Sequence, residues 1–257
     1  MIFYYTGTGN SLFAARKLLY RGEQLVNMAE ACQNHEFVYQ IPTHERVGFV
    51  YPELCGAVPE TVCEFVKQAI LNNVRYVFAV VTCAGERAMS AQILEDLLAE
   101  RFLPLQYANF VTMPNNALIY ADVQTDEKAA AILKTAEQRL GTIREELRKH
   151  PIHPADRRFL PKITRRIYPV ATATKKFFAD ENCIGCGICA KICPSKAIEM
   201  QNGMPVWVKS HCDLCVGCIN RCPKQAIQYG KSTKNRTRYV NPVLKQAAAP
   251  TDTSEEA

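Results

Sequence analysis

The sequence predicts an α/β fold, a doubly wound parallel sheet of five strands, followed by a smaller cysteine-rich α+β domain. Over residues 1–148, short β-branched and aromatic runs alternate with segments of helical period, an order typical of right-handed crossovers in a parallel sheet. Eight of the twelve cysteines lie between Cys183 and Cys222, which suits metal ligands better than a scattered disulfide framework. The length of 257 residues also favours two domains.

Five strands and four helices are predicted in the first part of the chain. The strands span residues 1–4, 25–28, 47–51, 75–81 and 106–111. The helices span residues 12–19, 58–70, 89–100 and 126–149. Ligands of such sheets bind beyond the carboxyl ends of the strands, where the strand order reverses. We therefore expect the loops after the first, third and fourth strands to meet at one site.

The loop after the first strand is rich in glycine and hydroxyl side chains but has no lysine or arginine. Its residues are Thr6, Gly7, Thr8, Gly9, Asn10 and Ser11. A nucleoside triphosphate loop would need a lysine directly after Gly9, where Asn10 stands. A dinucleotide fingerprint would need a third glycine where Leu12 stands. A small phosphomonoester held by amides, hydroxyls and the next helix N-terminus remains, with an ordinary glycine-rich turn as the alternative.

The run IFYYTGTGNS at residues 2–11, with Ala15 and Leu18 beyond it, resembles the phosphate loop of flavodoxins, and the similarity covers about residues 1–148. The resemblance implies FMN as the ligand and a strand order of 2-1-3-4-5. It also implies that two further loops wrap the isoalloxazine ring. Their residues are Tyr51, Pro52, Glu53, Leu54, Cys55 and Gly56 after the third strand, and Thr82, Cys83, Ala84 and Gly85 after the fourth. Flavodoxins usually hold the flavin between aromatic side chains, whereas these loops contain only Tyr51.

Four cysteines lie outside the crowded segment. They are Cys32, Cys55, Cys63 and Cys83. Because Cys55 and Cys83 fall in the predicted flavin loops, redox-active thiols are one interpretation. The other is that these cysteines are small apolar core residues, since free cysteine is among the most buried residue types. No catalytic residue is assigned.

The crowded segment is an internal duplication. It reads CIGCGICAKICP from residue 183 and CDLCVGCINRCP from residue 212, so two C-x2-C-x2-C-x3-C-P motifs begin 29 residues apart. This spacing resembles that of bacterial two-cluster ferredoxins, in which three close cysteines and one distant cysteine bind each 4Fe-4S cubane; zinc is the alternative metal. The resemblance implies one cluster bound by Cys183, Cys186, Cys189 and Cys222. It implies a second cluster bound by Cys212, Cys215, Cys218 and Cys193.

Charge and proline content divide the chain further. The net charge is +6, and residues 144–176 contain ten Lys and Arg against three Asp and Glu, with several prolines. We expect a flavodoxin-like FMN-binding domain at residues 1–148, a proline-rich basic linker at 149–175, a two-cluster domain at 176–230 and a partly disordered tail at 231–257. The linker is expected to contact an acidic protein or the cofactor domain. Nucleic acid is not expected, since no aromatic-basic platform is present.

The start of the chain and its hydropathy bear on the compartment. The first strand begins at Met1 without a charged leader or cleavage site, and no apolar run approaches the roughly 18 residues of a membrane span. The cysteine distribution favours a reducing environment. We therefore expect a cytoplasmic protein with no membrane span.

The whole chain resembles fusion proteins of a flavodoxin-like FMN module and a two-cluster ferredoxin. The resemblance implies an iron-sulfur flavoprotein that relays electrons between FMN and two 4Fe-4S clusters, with a redox protein as donor or acceptor. One alternative is an FMN-dependent reductase of a small molecule such as a quinone, with the clusters as its internal wire. Another is a binding module with structural clusters. The sequence leaves open the direction of electron flow and whether the chain forms a homodimer.

Overall fold

The computed structural model describes residues 1–42, 46–85, 90–155 and 172–246. Its strands, in chain order, are β1 (Ile2–Tyr4), β2 (Leu25–Asn27), β3 (Val38–Gln40), β4 (Arg46–Pro52), β5 (Ile70–Asn72), β6 (Tyr76–Cys83), β7 (Tyr107–Thr112), β8 (Phe177–Ala179), β9 (Ile198–Gln201), β10 (Met204–Trp207) and β11 (Ile227–Tyr229). Its helices are α1 (Asn10–Leu18), α2 (Met28–Asn34), α3 (Glu60–Gln68), α4 (Ala91–Ala99), α5 (Asp126–Leu147), α6 (Ile188–Lys191), α7 (Gly217–Asn220) and α8 (Val243–Gln246).

The main sheet has five parallel strands in the order β2-β1-β4-β6-β7. These are the five predicted strands, so the predicted parallel sheet and its strand order are confirmed. Gly48, in the middle of β4, has no room for a side chain, because a Cβ there would lie 2.2 Å from the Phe78 ring. Glycine at this position therefore lets the ring of Phe78, its partner on the neighbouring strand β6, lie over β4.

Three short elements of the α/β domain were not predicted from the sequence. The strands β3 and β5 contain three residues each and pair in parallel outside the main sheet. The helix α2 is seven residues long and begins where the side chain of Asn27 accepts a hydrogen bond from the Ala29 amide. Segments of this length are too short for a hydrophobic period to distinguish strand from loop.

Helices cover both faces of the main sheet, as a doubly wound fold requires. On one face α2, α3 and α4 pack over an aromatic centre formed by Phe3, Phe49 and Phe65. On the other face α1 and α5 pack around residues such as Leu140. The neighbouring β1 residues Ile2 and Phe3 enter opposite cores because side chains alternate along a strand.

The cysteine-rich domain is built from two antiparallel strand pairs, β8 with β11 and β9 with β10. Phe177 stacks on Trp207 with the ring centroids 5.4 Å apart, and Ile219 and Ile227 are buried in the same core. The single-turn helices α6 and α7 lie inside the two cysteine motifs. Across the described ranges of the chain, no helix combines the length and hydrophobicity needed to cross a membrane.

The predicted linker and tail are described in part. Residues 156–171, most of the basic linker, lie outside the described residues, whereas His153 extends the sheet edge by a bridge to Tyr107. Residues 236–244 of the tail contact the α/β domain. There the Asn241 amide donates to the Thr8 carbonyl oxygen at 2.8 Å, and the Asn241 side chain donates to Asn10 Oδ1 at 3.1 Å. Residues 247–257 lie outside the described residues, so partial disorder of the tail stays a prediction.

Candidate functional site

A cavity of about 290 Å³ lies at the carboxyl edge of the main sheet. Its wall contains the loops that follow β1, β4 and β6, which are the three loops expected to meet. The predicted residues in the wall are Thr6, Gly7, Asn10, Ser11, Pro52, Glu53, Leu54, Cys55, Thr82, Cys83 and Ala84. The cavity therefore joins the opening loop to both of the loops predicted to contact a flavin ring.

The other predicted residues, which are all described, lie outside the cavity wall. They are Thr8, Gly9, Tyr51, Gly56 and Gly85. Tyr51 is fully buried in the core under the helices. The Thr8 hydroxyl accepts a hydrogen bond from Asn116 Nδ2 at 2.7 Å, and a Cβ on Gly9 would lie 2.9 Å from Asn241 Cβ. The outer side of the opening loop thus faces the C-terminal residues 231–246.

The wall near α1 offers hydrogen-bond donors without a cation. Gly9 has φ = 100°, which glycine adopts readily, and its amide donates to Thr6 Oγ1 at 2.9 Å. The helix begins at Asn10, and the first amides of a helix have no intrahelical acceptor and favour an anion. Ser11 Oγ and Thr82 Oγ1 share a hydrogen bond of 2.7 Å. Among the described residues no Lys, Arg or His lines this cavity. The donor set fits a phosphate bound by amides and hydroxyls.

The sequence interpretation missed two parts of the cavity wall. One follows β7 and contains Met113, Pro114, Asn115, Asn116, Ala117, Ile119 and Tyr120; the other comes from the cysteine-rich domain and contains Leu214, Cys215 and Val216. The first was accessible to sequence reasoning, because β7 ends at the same sheet edge. The second had no sequence signal, since it depends on how the two domains pack. At the rim, the hydroxyl of Tyr120 lies 3.4 Å from Cys55 Sγ.

The first predicted set of cluster ligands surrounds a small cavity. Cys183, Cys186, Cys189 and Cys222, here called the outer set, all line this cavity of about 20 Å³. Cys222 belongs to the second motif, so the motifs cross. The Ala226 amide donates to Cys222 Sγ at 3.3 Å, a bond of the kind that tunes cluster potentials. Of the eight motif cysteines, which are all described, Cys186 alone is exposed.

The second predicted set, here called the inner set, is Cys193, Cys212, Cys215 and Cys218. The Ala197 amide donates to Cys193 Sγ at 3.3 Å, and the Leu214 amide donates to Cys212 Sγ at 3.4 Å. Burial raises the pKa of Cys212 to about 12, and burial beside other thiols also raises the pKa of Cys218. Thiolates need a positive partner in such surroundings, and cluster iron supplies one. In the part of the chain that the structure describes, no group of three or more His, Cys, Asp or Glu side chains forms a site for a metal ion.

Asp213, next to Cys212 of the inner set, forms hydrogen bonds with the α/β domain. Its buried carboxylate accepts hydrogen bonds from the Tyr5 hydroxyl at 2.7 Å, the Thr61 amide at 3.2 Å and the Thr61 hydroxyl at 2.5 Å. Thr61 lies in the first turn of α3, whose N-cap residue Pro59 provides no capping side chain. Asp213 therefore caps this helix from the other domain. The Asp213 amide in turn donates to Ser195 Oγ at 3.0 Å.

Two glycines allow the inner set to approach the opening loop. A Cβ on Gly7 would lie 2.6 Å from the Cys215 carbonyl oxygen and 3.1 Å from Cys215 Sγ. A Cβ on Gly217 would lie 2.9 Å from the Gly7 carbonyl oxygen. Neither position has room for a side chain. Cys215 therefore contacts the loop that forms one wall of the 290 Å³ cavity.

Comparisons with known proteins bear on the cysteine-rich domain. Residues 182–227 match the family model of the 4Fe-4S dicluster domain. One relative is NADH-quinone oxidoreductase subunit I of Pelobacter propionicus, 33% identical over 66 residues, 21% of this chain and 36% of the relative. Another is pyruvate synthase subunit PorD of Thermotoga maritima, 40% identical over 55 residues, 21% of this chain and 56% of the relative. This chain thus spans about a third of the length of the first relative and little more than half of the second. The match to the 4Fe-4S family model favours iron-sulfur clusters over zinc. The C-terminal region of the chain thus contains a 4Fe-4S dicluster ferredoxin domain.

Proposed function

We propose that the 290 Å³ cavity binds FMN and that the protein relays electrons between FMN and two 4Fe-4S clusters. The observation that carries the proposal is the position of Cys215, a predicted cluster ligand that also lines the cavity. Gly7, on the opposite side of this contact, belongs to the loop proposed to hold the FMN phosphate. A ligand of the cluster and the cofactor loop therefore touch without any movement of the domains.

The cavity residues suit this cofactor in their chemistry. The amides at the start of α1 and the hydroxyls of Thr6 and Ser11 would hold the phosphate, and each amide bond to a charged oxygen contributes roughly 1.5–3 kcal/mol. The loops containing Pro52 and Thr82 would border the ring. Leu214 and Val216 are buried and would exclude water on the cluster side. Bound FMN would supply exchange between two-electron and one-electron carriers, because a flavin takes two electrons and releases them singly whereas each cluster carries one.

The two clusters would exchange electrons with different partners. In the outer set Cys186 is exposed, so that cluster would exchange electrons with a partner protein. In the inner set Cys215 contacts the cavity loop, so that cluster would exchange electrons with FMN. The helix α6 links the sets, because it contains Cys189 of the outer set and ends shortly before Cys193 of the inner set. This order gives a path from surface to cavity through a single chain.

A second candidate function is an FMN-dependent reductase of a small molecule such as a quinone. It is favoured by the rim of the cavity, where Cys55 is exposed and Tyr120 is 59% exposed. A substrate could reach the ring from that side. Anaerobic oxidation of the reduced protein by small quinones, compared with oxidation by a protein acceptor, separates the two functions by their rates.

Cofactor content tests the proposed function. Protein prepared without oxygen should contain one FMN per chain and about eight irons, as two cubanes require. Ala117→Phe places a ring in the cavity wall and should abolish FMN binding while leaving the iron unchanged. Ala121→Phe, at an exposed position outside the wall, is the matched control and should retain both. Full iron loading with no bound flavin in the unaltered protein would contradict the proposal.

A further inference from the structure

The exposed ligand Cys186 lies in an apolar patch of the surface. Ile184 is 60% exposed and Ile188 is 38% exposed, and both line the small cavity of the outer set. The turn between β9 and β10 abuts the same loop, since a Cβ on Gly185 would lie 2.8 Å from the carbonyl oxygen of Gly203. This contact brings the adjoining Met204, 39% exposed, beside the loop. We call the surface formed by residues 184–188, Lys191, Met204 and Lys224 the cluster face.

The cluster face lies in a part of the chain with an excess of basic residues. The described residues 172–246 contain twelve Lys and Arg against four Asp and Glu. Two of these acids, Asp180 and Asp213, are buried, which leaves Glu181 and Glu199 as the exposed acids of this region. Lys191, which ends α6, is exposed, and Lys224 lines the cavity of the outer set itself. An apolar centre with a basic rim is a typical arrangement for recognition of an acidic protein surface.

We propose that the cluster face docks an acidic, one-electron redox protein, which exchanges electrons with the outer cluster. This inference rests on the electron-carrier part of the proposed function. Charge complementarity selects the occupant, because a second copy of this chain would bring the same basic rim against itself, which like-charge repulsion disfavours. The apolar patch around Cys186 selects the position, because docking there places the partner directly over the exposed ligand. A single electron passes from the reduced partner to the oxidised cluster, or the reverse.

Charge reversal on the cluster face tests the docking. The probe is a reduced ferredoxin of net negative charge, mixed anaerobically with the intact protein, and the readout is bleaching of the cluster absorbance in a stopped-flow instrument. Lys191→Glu combined with Lys224→Glu should lower the second-order rate constant at least tenfold at low ionic strength. The matched control is Lys128→Glu combined with Lys134→Glu, which makes the same change of net charge on exposed residues of α5. The control should change the rate less than twofold.

Further outcomes decide the proposal. In the unaltered protein the rate should fall steeply as salt is raised, because steering by opposite charges is screened. Reduction by dithionite should be equal in all variants, which shows that the clusters are intact. Equal losses of rate in the cluster-face and control variants would overturn the docking proposal, and so would a rate that does not depend on salt. The proposal would also be overturned if a duplex oligonucleotide bound through Lys191 and Lys224 while the rate with ferredoxin stayed unchanged. Because the readout is cluster reduction, failure of FMN to be reduced afterwards would count against the relay and not against the docking.

Discussion

Replacement of Asp213 by alanine is expected to loosen the contact between the cluster domain and the α/β domain. The carboxylate is 1% exposed and accepts three hydrogen bonds, two of them from Thr61 and one from Tyr5. Tyr5 and Thr61 belong to the α/β domain, whereas Asp213 directly follows Cys212 of the inner set. The substitution removes the acceptor and also the N-terminal cap of α3.

The expected cost follows from these bonds. A hydrogen bond to a charged group contributes roughly 1.5–3 kcal/mol. Three such bonds, reduced by the desolvation cost of the buried carboxylate, give a net loss of about 3 kcal/mol for docking of the domains. Because about 1.4 kcal/mol corresponds to a factor of ten, the population of the opened interface should rise roughly a hundredfold.

Hydrogen exchange of the intact, cluster-loaded protein measures this opening. The reporter is the Asn241 amide of the C-terminal segment, which donates to the Thr8 carbonyl oxygen of the α/β domain at 2.8 Å and does not contact Asp213. The Tyr239 amide in the same segment donates to Asn220 Oδ1 of the cluster domain at 2.9 Å, so both domains hold this segment. In Asp213→Ala its exchange should accelerate roughly a hundredfold, and in Asp213→Asn it should accelerate less, since one acceptor oxygen remains. Asp180→Ala is the control, because the Asp180 carboxylate is also buried but binds Gln228 within the cluster domain. Unchanged Asn241 exchange in Asp213→Ala, or an equal acceleration in Asp180→Ala, would refute the reasoning.

Three further predictions concern the cofactors. Thr6→Asp should weaken FMN binding at least tenfold, because its carboxylate would repel the phosphate. The neutral Thr6→Asn should bind FMN with a Kd within a few-fold of that of the unaltered protein. Equal Kd values for the two variants in a fluorescence titration would contradict the phosphate assignment. Gly7→Ala should slow reduction of FMN through the clusters, because the added Cβ displaces Cys215. Gly141→Ala should not slow it, because nothing lies within 4 Å of the Cβ added there. Equal rates for the two variants in stopped flow would contradict a role for the contact between Gly7 and Cys215. Oxidative removal of iron should shift the fluorescence emission of Trp207, the single tryptophan, to longer wavelength, because the cluster domain loses its core. Unchanged emission would show that iron does not stabilise this domain.

The parts of the structure that were predictable from the sequence are those encoded by local patterns. The strands followed from buried runs such as β4 and β6, and their order followed from the family resemblance. The meeting of three loops followed from the geometry of parallel strands. The 4Fe-4S domain was predicted from the cysteine spacing, and the family match over residues 182–227 supports that prediction. In contrast, β3 and β5 are too short to show a hydrophobic period, so they were not predicted.

The contacts between the domains were beyond sequence reasoning. Asp213 looks like an ordinary loop residue of the second motif, and its partners are more than 150 residues away in the chain. The C-terminal residues 231–246 are polar, a composition typical of disorder. Their order comes from specific pairings, such as the Tyr239 hydroxyl with Asn10 Oδ1 at 2.9 Å. No local sequence pattern indicates such a pairing, because both residues are of polar types that are common on protein surfaces.

The kinetic order of FMN reduction tests whether electrons pass between the clusters and FMN within one chain. The intact protein, loaded with both cofactors, is mixed without oxygen with a one-electron protein donor in a stopped-flow instrument. We expect a cluster phase whose rate rises with donor concentration, followed by a flavin phase whose rate depends neither on donor nor on protein concentration. A flavin phase whose rate is proportional to donor concentration and independent of cluster reduction would show that the clusters do not lie on the path to FMN.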